Sequence, residues 1–253
     1  MEPIMRTGVT LQVVGQIRPA VPEQSGDGFE VTLRPDGTTA IWLLDAQGHG
    51  PEACAERQQI TSLLKGDASW TSLEPEQALS RADELLAAQG KDGSLAFVQV
   101  DPASQKVSVA LAGGLPFPMI LRADSGALET IEAGGLFVGV GYADIQHDVV
   151  QADFRPGDRL VLFSDGITEA RDQSETLFTL EGVSRTLHGA ADLPPDELLD
   201  RLMHASLNHA GRELPEDDST VIVVEFPMQG RTSAEPTDGG KGGPFTASLG
   251  PRS

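Results

Sequence analysis

Four short stretches of the sequence each place an aspartate at the end of an apolar run or inside a glycine-flanked turn. They contain Asp27 in SGDG, Asp45 after IWLL, Asp165 in SDG and Asp217 in EDDST. Hard divalent cations such as Mg²⁺ and Mn²⁺ prefer carboxylate, carbonyl and water oxygens, and two such ions can activate water and clamp a phosphoryl oxygen. Any one aspartate alone is also typical of an ordinary turn. Asp45 and Asp165, however, each follow a very apolar strand, which favours a shared two-metal site.

The elements that must position these aspartates alternate between short apolar runs and helical patterns. Helices are predicted over 51–65, where Pro51 is a start signal, over 74–89 and over 195–210. Strands are predicted over 9–14, 28–33, 38–45, 94–100, 106–112, 117–122, 145–154, 159–164 and 219–226. Many short antiparallel strands with a few helices predict an α+β fold of packed sheets with helices outside.

The net charge, the cysteine count and the absence of long apolar runs limit the classes of function that the sequence allows. The 253-residue chain has a net charge of −20, which disfavours nucleic acid and anionic membrane as partners. Solubility alone explains such a charge, the sharper interpretation is that some of the acidic residues bind cations, and composition does not separate the two. The single cysteine, Cys54, forms no disulfide within the chain and is interpreted as a small helix residue. No run approaches 18 apolar residues, so we expect a soluble cytoplasmic protein.

The composition changes abruptly near Pro227. Residues 228–253 are rich in Gly, Pro, Ser and Thr and have few apolar side chains. Such a segment buries too little apolar surface to offset the entropy of ordering, so it is predicted to be disordered. The folded domain is therefore predicted to span 1–227.

Four motifs in order carry a family resemblance that covers roughly residues 9–226. They are IRPAVPEQSGDGFEV, AIWLLDAQGHGPEA, FRPGDRLVLFSDGITEARD and DDSTVIVVEF. Together they resemble the SpoIIE/RsbU-like branch of the PPM-type serine/threonine protein phosphatases. The resemblance implies a sandwich of two antiparallel β-sheets flanked by α-helices, with two Mn²⁺ or Mg²⁺ ions bound at one end.

The resemblance also implies a role for each acidic residue. Asp45 would bridge the two ions, with the Ala46 carbonyl as a backbone ligand and Asp218 as a supporting group. The remaining implied ligands are Asp27, Asp165 and Asp217.

Three positions are secondary or depart from the family pattern. His49 either orients a phosphate or acts as general acid to the leaving oxygen, or it simply packs beside the loop. Glu30 stands where many relatives have Asp. A stretch that commonly contains Asn-Ala-Gly-His reads LAGGLP over 111–116 here, which affects substrate or partner specificity more than the chemistry.

The implied activity is hydrolysis of phosphoserine or phosphothreonine on a regulatory protein in signal transduction or stress response. Metal-activated water would attack phosphorus without a covalent phosphoenzyme. In this branch the usual substrate is an anti-anti-sigma factor with a STAS fold. We further expect an activating partner at residues 51–89. The rival interpretation is a non-catalytic phosphatase-like module that binds a signalling partner.

Overall fold

The computed structural model describes residues 11–67, 69–141 and 147–228, together with the backbone of 245–249. The strands, numbered along the chain, are β1 (Leu11–Arg18), β2 (Asp27–Leu33), β3 (Thr39–Asp45), β4 (Ser94–Asp101), β5 (Lys106–Ala112), β6 (Met119–Leu121), β7 (Leu128–Thr130), β8 (Val149–Asp153), β9 (Arg159–Phe163), β10 (Ser219–Glu225) and β11 (Phe245–Leu249). The helices are α1 (Gly50–Gly66), α2 (Pro75–Ala87), α3 (Asp165–Thr168), α4 (Thr179–Leu187) and α5 (Pro195–Ala210), with a 3₁₀ turn at Trp70–Ser72.

The strands form two antiparallel sheets. One has the spatial order β11-β1-β10-β9-β6-β7 and the other has the order β2-β3-β4-β5-β8. Their facing sides share one core, which includes Ile41 and Leu43 from one sheet and Ile222 and Val224 from the other. The predicted sandwich of two antiparallel sheets is therefore confirmed.

Helices cover the outer face of each sheet, which explains why the central strands are apolar on both sides. In β3, Trp42 and Leu44 alternate with the inward residues and pack with apolar residues of α1 and α2. In β10, Val221 and Val223 likewise point outward and pack with residues of α4 and α5. This gives four layers, helix–sheet–sheet–helix. Among the described residues, no helix is both long and apolar enough to cross a membrane.

The segment beyond Pro227 differs in part from its prediction as a disordered tail over 228–253. Residues 245–249 form β11, which pairs with β1 through Leu11↔Leu249 to Gly15↔Phe245. The physical reason is that β1 would otherwise end the sheet with unpaired backbone groups, which any extended segment can satisfy. Residues 229–244 and 250–253 lie outside the described residues.

Candidate active site

The β2–β3 hairpin brings the first two predicted ligands together. Asp27 begins β2 and Asp45 ends β3, and the two are directly opposed in the antiparallel register. Directly opposed residues have Cα atoms about 4.5–5.5 Å apart. The 18-residue interval between them is thus the length of one hairpin, and both carboxylates lie at the same end of the sandwich.

Asp27 joins the two sheets at this end. It is 1% exposed, and its Oδ2 accepts a 2.6 Å hydrogen bond from the hydroxyl of Thr220 in β10. Its backbone N–H donates to the Ser25 hydroxyl at 3.1 Å. The Ser164 hydroxyl also interacts with the Asp27 carboxylate. These contacts fix Asp27 against the ends of β9 and β10, which carry the other two motifs.

A glycine allows the third and fourth motifs to approach each other. Asp165 is the first residue of α3, directly after β9, and Gly166 follows it. A Cβ at Gly166 would lie only 2.2 Å from the Asp218 carbonyl oxygen. Glycine is therefore required in SDG because the turn packs backbone to backbone against the Asp217–Asp218 segment.

Asp218 supports the loop that leads to Asp27. Its side chain is 2% exposed, and its two carboxylate oxygens accept bonds from the backbone N–H groups of Ala20 at 2.9 Å and Gly26 at 2.6 Å. A buried carboxylate bonded to backbone N–H groups is a structural clamp. Asp218 consequently orders the turn from which Asp27 emerges.

Ala46 lies in a tight glycine-containing loop between β3 and α1. It is fully buried, and its N–H donates to the Gly26 carbonyl at 3.2 Å. Its own carbonyl oxygen would be 3.0 Å from a Cβ placed on Gly26. Gly48 and Gly50 have φ of +79° and +82°, a conformation that side chains disfavour. The glycines of QGHG therefore let the chain reverse from Asp45 into α1.

The acidic side chains repel one another. Burial, reinforced by Asp27, Asp165, Asp217 and Asp218, raises the pKa of Asp45 to about 9. Burial raises the pKa of Asp27 to about 8, although hydrogen bonds from Thr220 and Ser164 act in the opposite direction. Burial, with Asp217 and Glu169, raises the pKa of Asp165 to about 6. Such concentrated negative charge favours either protons or cations at this end of the sandwich.

The donor set fits hard divalent cations. All the side-chain donors are carboxylate oxygens, and every contribution identified for Asp45 raises its pKa, as expected where a positive charge belongs. Within the described ranges, no group of three or more His, Cys, Asp or Glu side chains is placed so that it could hold a metal ion. The residues therefore fit ions that keep several water ligands, as Mg²⁺ does, and not an all-protein cage.

The two secondary residues have different placements. His49 precedes α1 and is half exposed, with its Nδ1 3.7 Å from Oδ1 of Asp217. It therefore lies at the acidic edge. Glu30 lies three residues along β2 and forms an ion pair of 2.8 Å with Lys65 of α1. The structure thus does not bring Glu30 into the acidic cluster.

Thr220 and Ser164 are the residues that the motif analysis missed. Besides contacting Asp27, they bind each other, since the Thr220 N–H donates to the Ser164 hydroxyl at 2.9 Å. Each lies within one of the four motifs, Ser164 directly before Asp165 and Thr220 directly after DDS. A polar residue at the end of an apolar strand was the available signal, but its partner depends on sheet pairing.

A comparison with models of known protein families shows which family the chain belongs to. The model described as Stage II sporulation protein E (SpoIIE) matches residues 35–227, most of the chain. The chain belongs to the SpoIIE family. The resemblance to SpoIIE/RsbU-like PPM phosphatases is thereby confirmed.

Individual relatives agree with this placement. Stage II sporulation protein E of Bacillus subtilis is 25% identical over 207 residues, which are 80% of this SpoIIE-family chain and 24% of the relative. The chain thus spans about a quarter of the length of that protein. The PP2C phosphatase domain of B. subtilis SpoIIE, solved with a fragment of its regulatory domain, matches with a TM-score of 0.72 and 22% identity, covering 85% of this chain and 63% of that one.

Two further solved structures share the fold. The RsbU and RsbW domains of a Mycobacterium tuberculosis protein match with a TM-score of 0.71 and 20% identity, covering 87% of this chain and 61% of that one. The catalytic domain of the serine/threonine phosphatase PstP, in complex with two manganese ions, matches with a TM-score of 0.58 and 18% identity, covering 87% and 99%. At these identities the likeness concerns the fold alone.

Proposed function

We propose that this chain is a Mn²⁺- or Mg²⁺-dependent protein serine/threonine phosphatase. The observation that carries the proposal is the like-charge cluster of buried Asp27 and partly buried Asp45 and Asp165, each with a raised pKa, at one end of the sandwich. A soluble fold has little reason to keep such repulsion unless cations relieve it. The family membership and the two manganese ions described for PstP support the same conclusion.

In this proposal each side chain has a defined task. Asp27, Asp45, Asp165, Asp217 and the Ala46 carbonyl would hold the two ions, with Asp45 as the ligand shared by both. When bound, two divalent cations activate a water molecule and offset the negative charge of the phosphoryl oxygens. The half-exposed ring of His49 beside Asp217 can donate a proton to the departing serine or threonine oxygen.

The proposed substrate is a phosphorylated regulatory protein, namely an anti-anti-sigma factor with a STAS fold. The open, solvent-facing acidic edge favours a protein substrate, since Asp217 and His49 are about half exposed. The SpoIIE/RsbU-like branch of the family supports the STAS class. A phosphoserine at the surface of a folded partner can reach such an edge without unfolding.

An activating partner is proposed at residues 51–89 because α1 is mechanically linked to Asp27. The Arg57 guanidinium donates to the Ser25 carbonyl at 2.9 Å, and Ser25 in turn accepts the Asp27 N–H. Ala53 of α1 also packs against Gly26. A small displacement of α1 would therefore move Asp27 and the Ala46 loop, which alters affinity for a geometrically demanding ion such as Mg²⁺.

The decisive experiment is turnover of p-nitrophenyl phosphate with Mn²⁺, with Mg²⁺ and with EDTA. We expect turnover with either ion and none with EDTA, and loss of turnover in Asp45→Asn. Asp200→Asn, on the exposed face of α5, is the matched control and should keep wild-type turnover. Absence of turnover at every Mn²⁺ concentration would instead favour the rival interpretation, a phosphatase-like module that only binds a signalling partner.

A further inference from the structure

The connection between β7 and β8 exposes three large apolar side chains close together. Leu136, Phe137 and Val140 are 55%, 47% and 39% exposed. They are three of the seven large apolar side chains that are exposed among the described residues, and they lie within five positions. Single exposed apolar residues are common on protein surfaces, whereas a contiguous group typically marks a binding surface. We call residues 136–140 the apolar loop.

The apolar loop is firmly attached to the sandwich. Val138, at its centre, is fully buried in the core beneath α1 and α2 and pairs with Gly93 through backbone hydrogen bonds of 3.1 and 3.2 Å. The Gly139 N–H donates to the buried carboxylate of Asp83 at 2.7 Å. With Val138 filling the core, the loop presents its other apolar side chains to solvent in a fixed arrangement.

The apolar loop lies beside the acidic cluster. Gly93, the partner of Val138, precedes Ser94, and Ser94 is directly opposed to Asp45 in the β3–β4 register. Neighbouring paired strands are about 4.8 Å apart, and two such steps, from the loop to the start of β4 and from β4 to β3, place the loop backbone about 10 Å from Asp45. The Phe137 ring lies near Ser94, because a Cβ at Gly113 would be 2.8 Å from that ring and 2.6 Å from the Ser94 hydroxyl.

Electrostatics indicates why an apolar surface is useful at this position. The chain carries a net charge of −20, and a phosphorylated substrate is itself an anion. Long-range electrostatics therefore opposes the encounter. Uncharged contacts next to the site can supply binding free energy that this repulsion does not reduce, because apolar burial depends on area and not on charge.

We propose that the apolar loop binds an apolar side chain of the substrate, two or three residues from the phosphorylated serine or threonine. An extended chain advances about 3.3 Å per residue, so three residues span the distance from Asp45 to the loop. The inference rests on the proposed phosphatase function and adds a rule of substrate selection. The partner it specifies is a phosphorylated segment with Leu, Ile, Val or Phe close to the modified residue.

The test compares two nine-residue phosphoserine peptides that differ only at the positions two and three residues from the phosphoserine on either side. One peptide carries Leu at these positions and the other carries Ser. With Mn²⁺ present, kcat/KM for the Leu peptide should exceed that for the Ser peptide about tenfold, which corresponds to about 1.4 kcal/mol. The double variant Leu136→Ser/Val140→Ser should bring this ratio close to one.

The control is Leu33→Ser. Leu33 is also exposed, at 36%, but it lies at the opposite end of β2 from Asp27, so the ratio should stay at the wild-type value. The melting temperatures of the variants should remain within about 2 °C of wild type, since exposed side chains contribute little to stability. Equal hydrolysis of both peptides by the wild type would overturn the proposal.

Peptide binding by fluorescence anisotropy separates this proposal from the proposed function. If neither peptide is hydrolysed, the phosphatase function fails, while tighter binding of the Leu peptide that is lost in the double variant still supports the docking surface. Sedimentation velocity tests the alternative that a second copy of the chain occupies the apolar loop. A wild-type dimer that becomes monomeric in Leu136→Ser/Val140→Ser would show that a second copy of the chain occupies the loop, which overturns the proposal.

Discussion

Replacing Asp45 by Asn should stabilise the metal-free protein while it abolishes metal-dependent turnover. The substitution keeps the shape of the side chain and removes an ionisable carboxyl group that is partly buried among other carboxylates. Burial and the neighbouring aspartates raise the pKa of Asp45 to about 9. A structural aspartate in an ordinary ion pair would behave in the opposite way, because its replacement lowers stability.

The magnitude follows from the linkage between protonation and folding. An unfolded aspartate has a pKa of about 3.9, so the folded state of the wild type holds this proton more tightly. The contribution of protonated Asp45 to the free energy of unfolding is fully present below about pH 4 and is lost as the pH rises towards 9. At pH 7 the loss has an upper bound of about 4 kcal/mol, at about 1.36 kcal/mol per pH unit.

The actual loss of stability is smaller than this upper bound, because Asp27 and Asp165 take part in the same repulsion and can hold part of the proton charge. We expect Asp45→Asn to gain about 2 kcal/mol at pH 7, since interacting carboxylates titrate as a group. For a chain of this size each kcal/mol shifts the melting temperature by about 2–4 °C. The expected increase is therefore about 4–8 °C in EDTA at pH 7.

The assay is thermal unfolding in EDTA at pH 5.5 and at pH 8, with Asp200→Asn as the control for an exposed aspartate. The gain of Asp45→Asn over wild type should be about 2.5-fold larger at pH 8, because the wild type must take up a proton at Asp45 on folding and this uptake costs more free energy as the pH rises. Adding Mn²⁺ should raise the melting temperature of the wild type more than that of the variant. A variant less stable than wild type at pH 8 in EDTA would refute the like-charge interpretation of the cluster.

Three further expectations follow from the same contacts. Asp165→Asn and Asp217→Asn should each reduce Mn²⁺-dependent turnover of p-nitrophenyl phosphate by more than tenfold, while the circular dichroism spectrum stays unchanged. Wild-type turnover of both variants at saturating Mn²⁺ would show that these two residues are not part of the site. Thr220→Val should lower stability by about 1–3 kcal/mol in denaturant titration, because the buried Asp27 carboxylate loses its 2.6 Å donor; an unchanged midpoint would show that this bond contributes nothing. Arg57→Ala should raise the Mn²⁺ concentration needed for half-maximal turnover, whereas a lower kcat at unchanged Mn²⁺ dependence would contradict the coupling through α1.

The features that sequence predicts well are those fixed by local pattern. The continuous apolar run before Asp45 predicts a strand buried on both faces, and the structure has β3 packed between the second sheet and the helices. Pro51 correctly predicts the beginning of α1. The order of the four motifs predicts the family, which the match over residues 35–227 confirms.

The features that sequence does not predict depend on contacts between distant segments. Thr220 reaches Asp27 across the two sheets, a contact separated by 193 positions in the chain. The helix α4 is absent from the prediction because its nine residues, TLEGVSRTL, contain a glycine and two threonines and have low helix propensity. Its amphipathic face packs onto the sheet beside α5 instead, so tertiary packing overrides the local preference.

The acidic cluster and helix α1 form one thermodynamic system. In the proposed function, bound cations would relieve the repulsion around Asp45, and the hydrogen bonds from Arg57 through Ser25 to Asp27 link the position of that cluster to α1. If a partner that binds α1 raises the affinity of the site for Mn²⁺, then Mn²⁺ must raise the affinity of the partner by the same factor. A phosphatase of the proposed kind would need no separate switch, because partner binding and metal binding would both act on the unfavourable charge of the metal-free site.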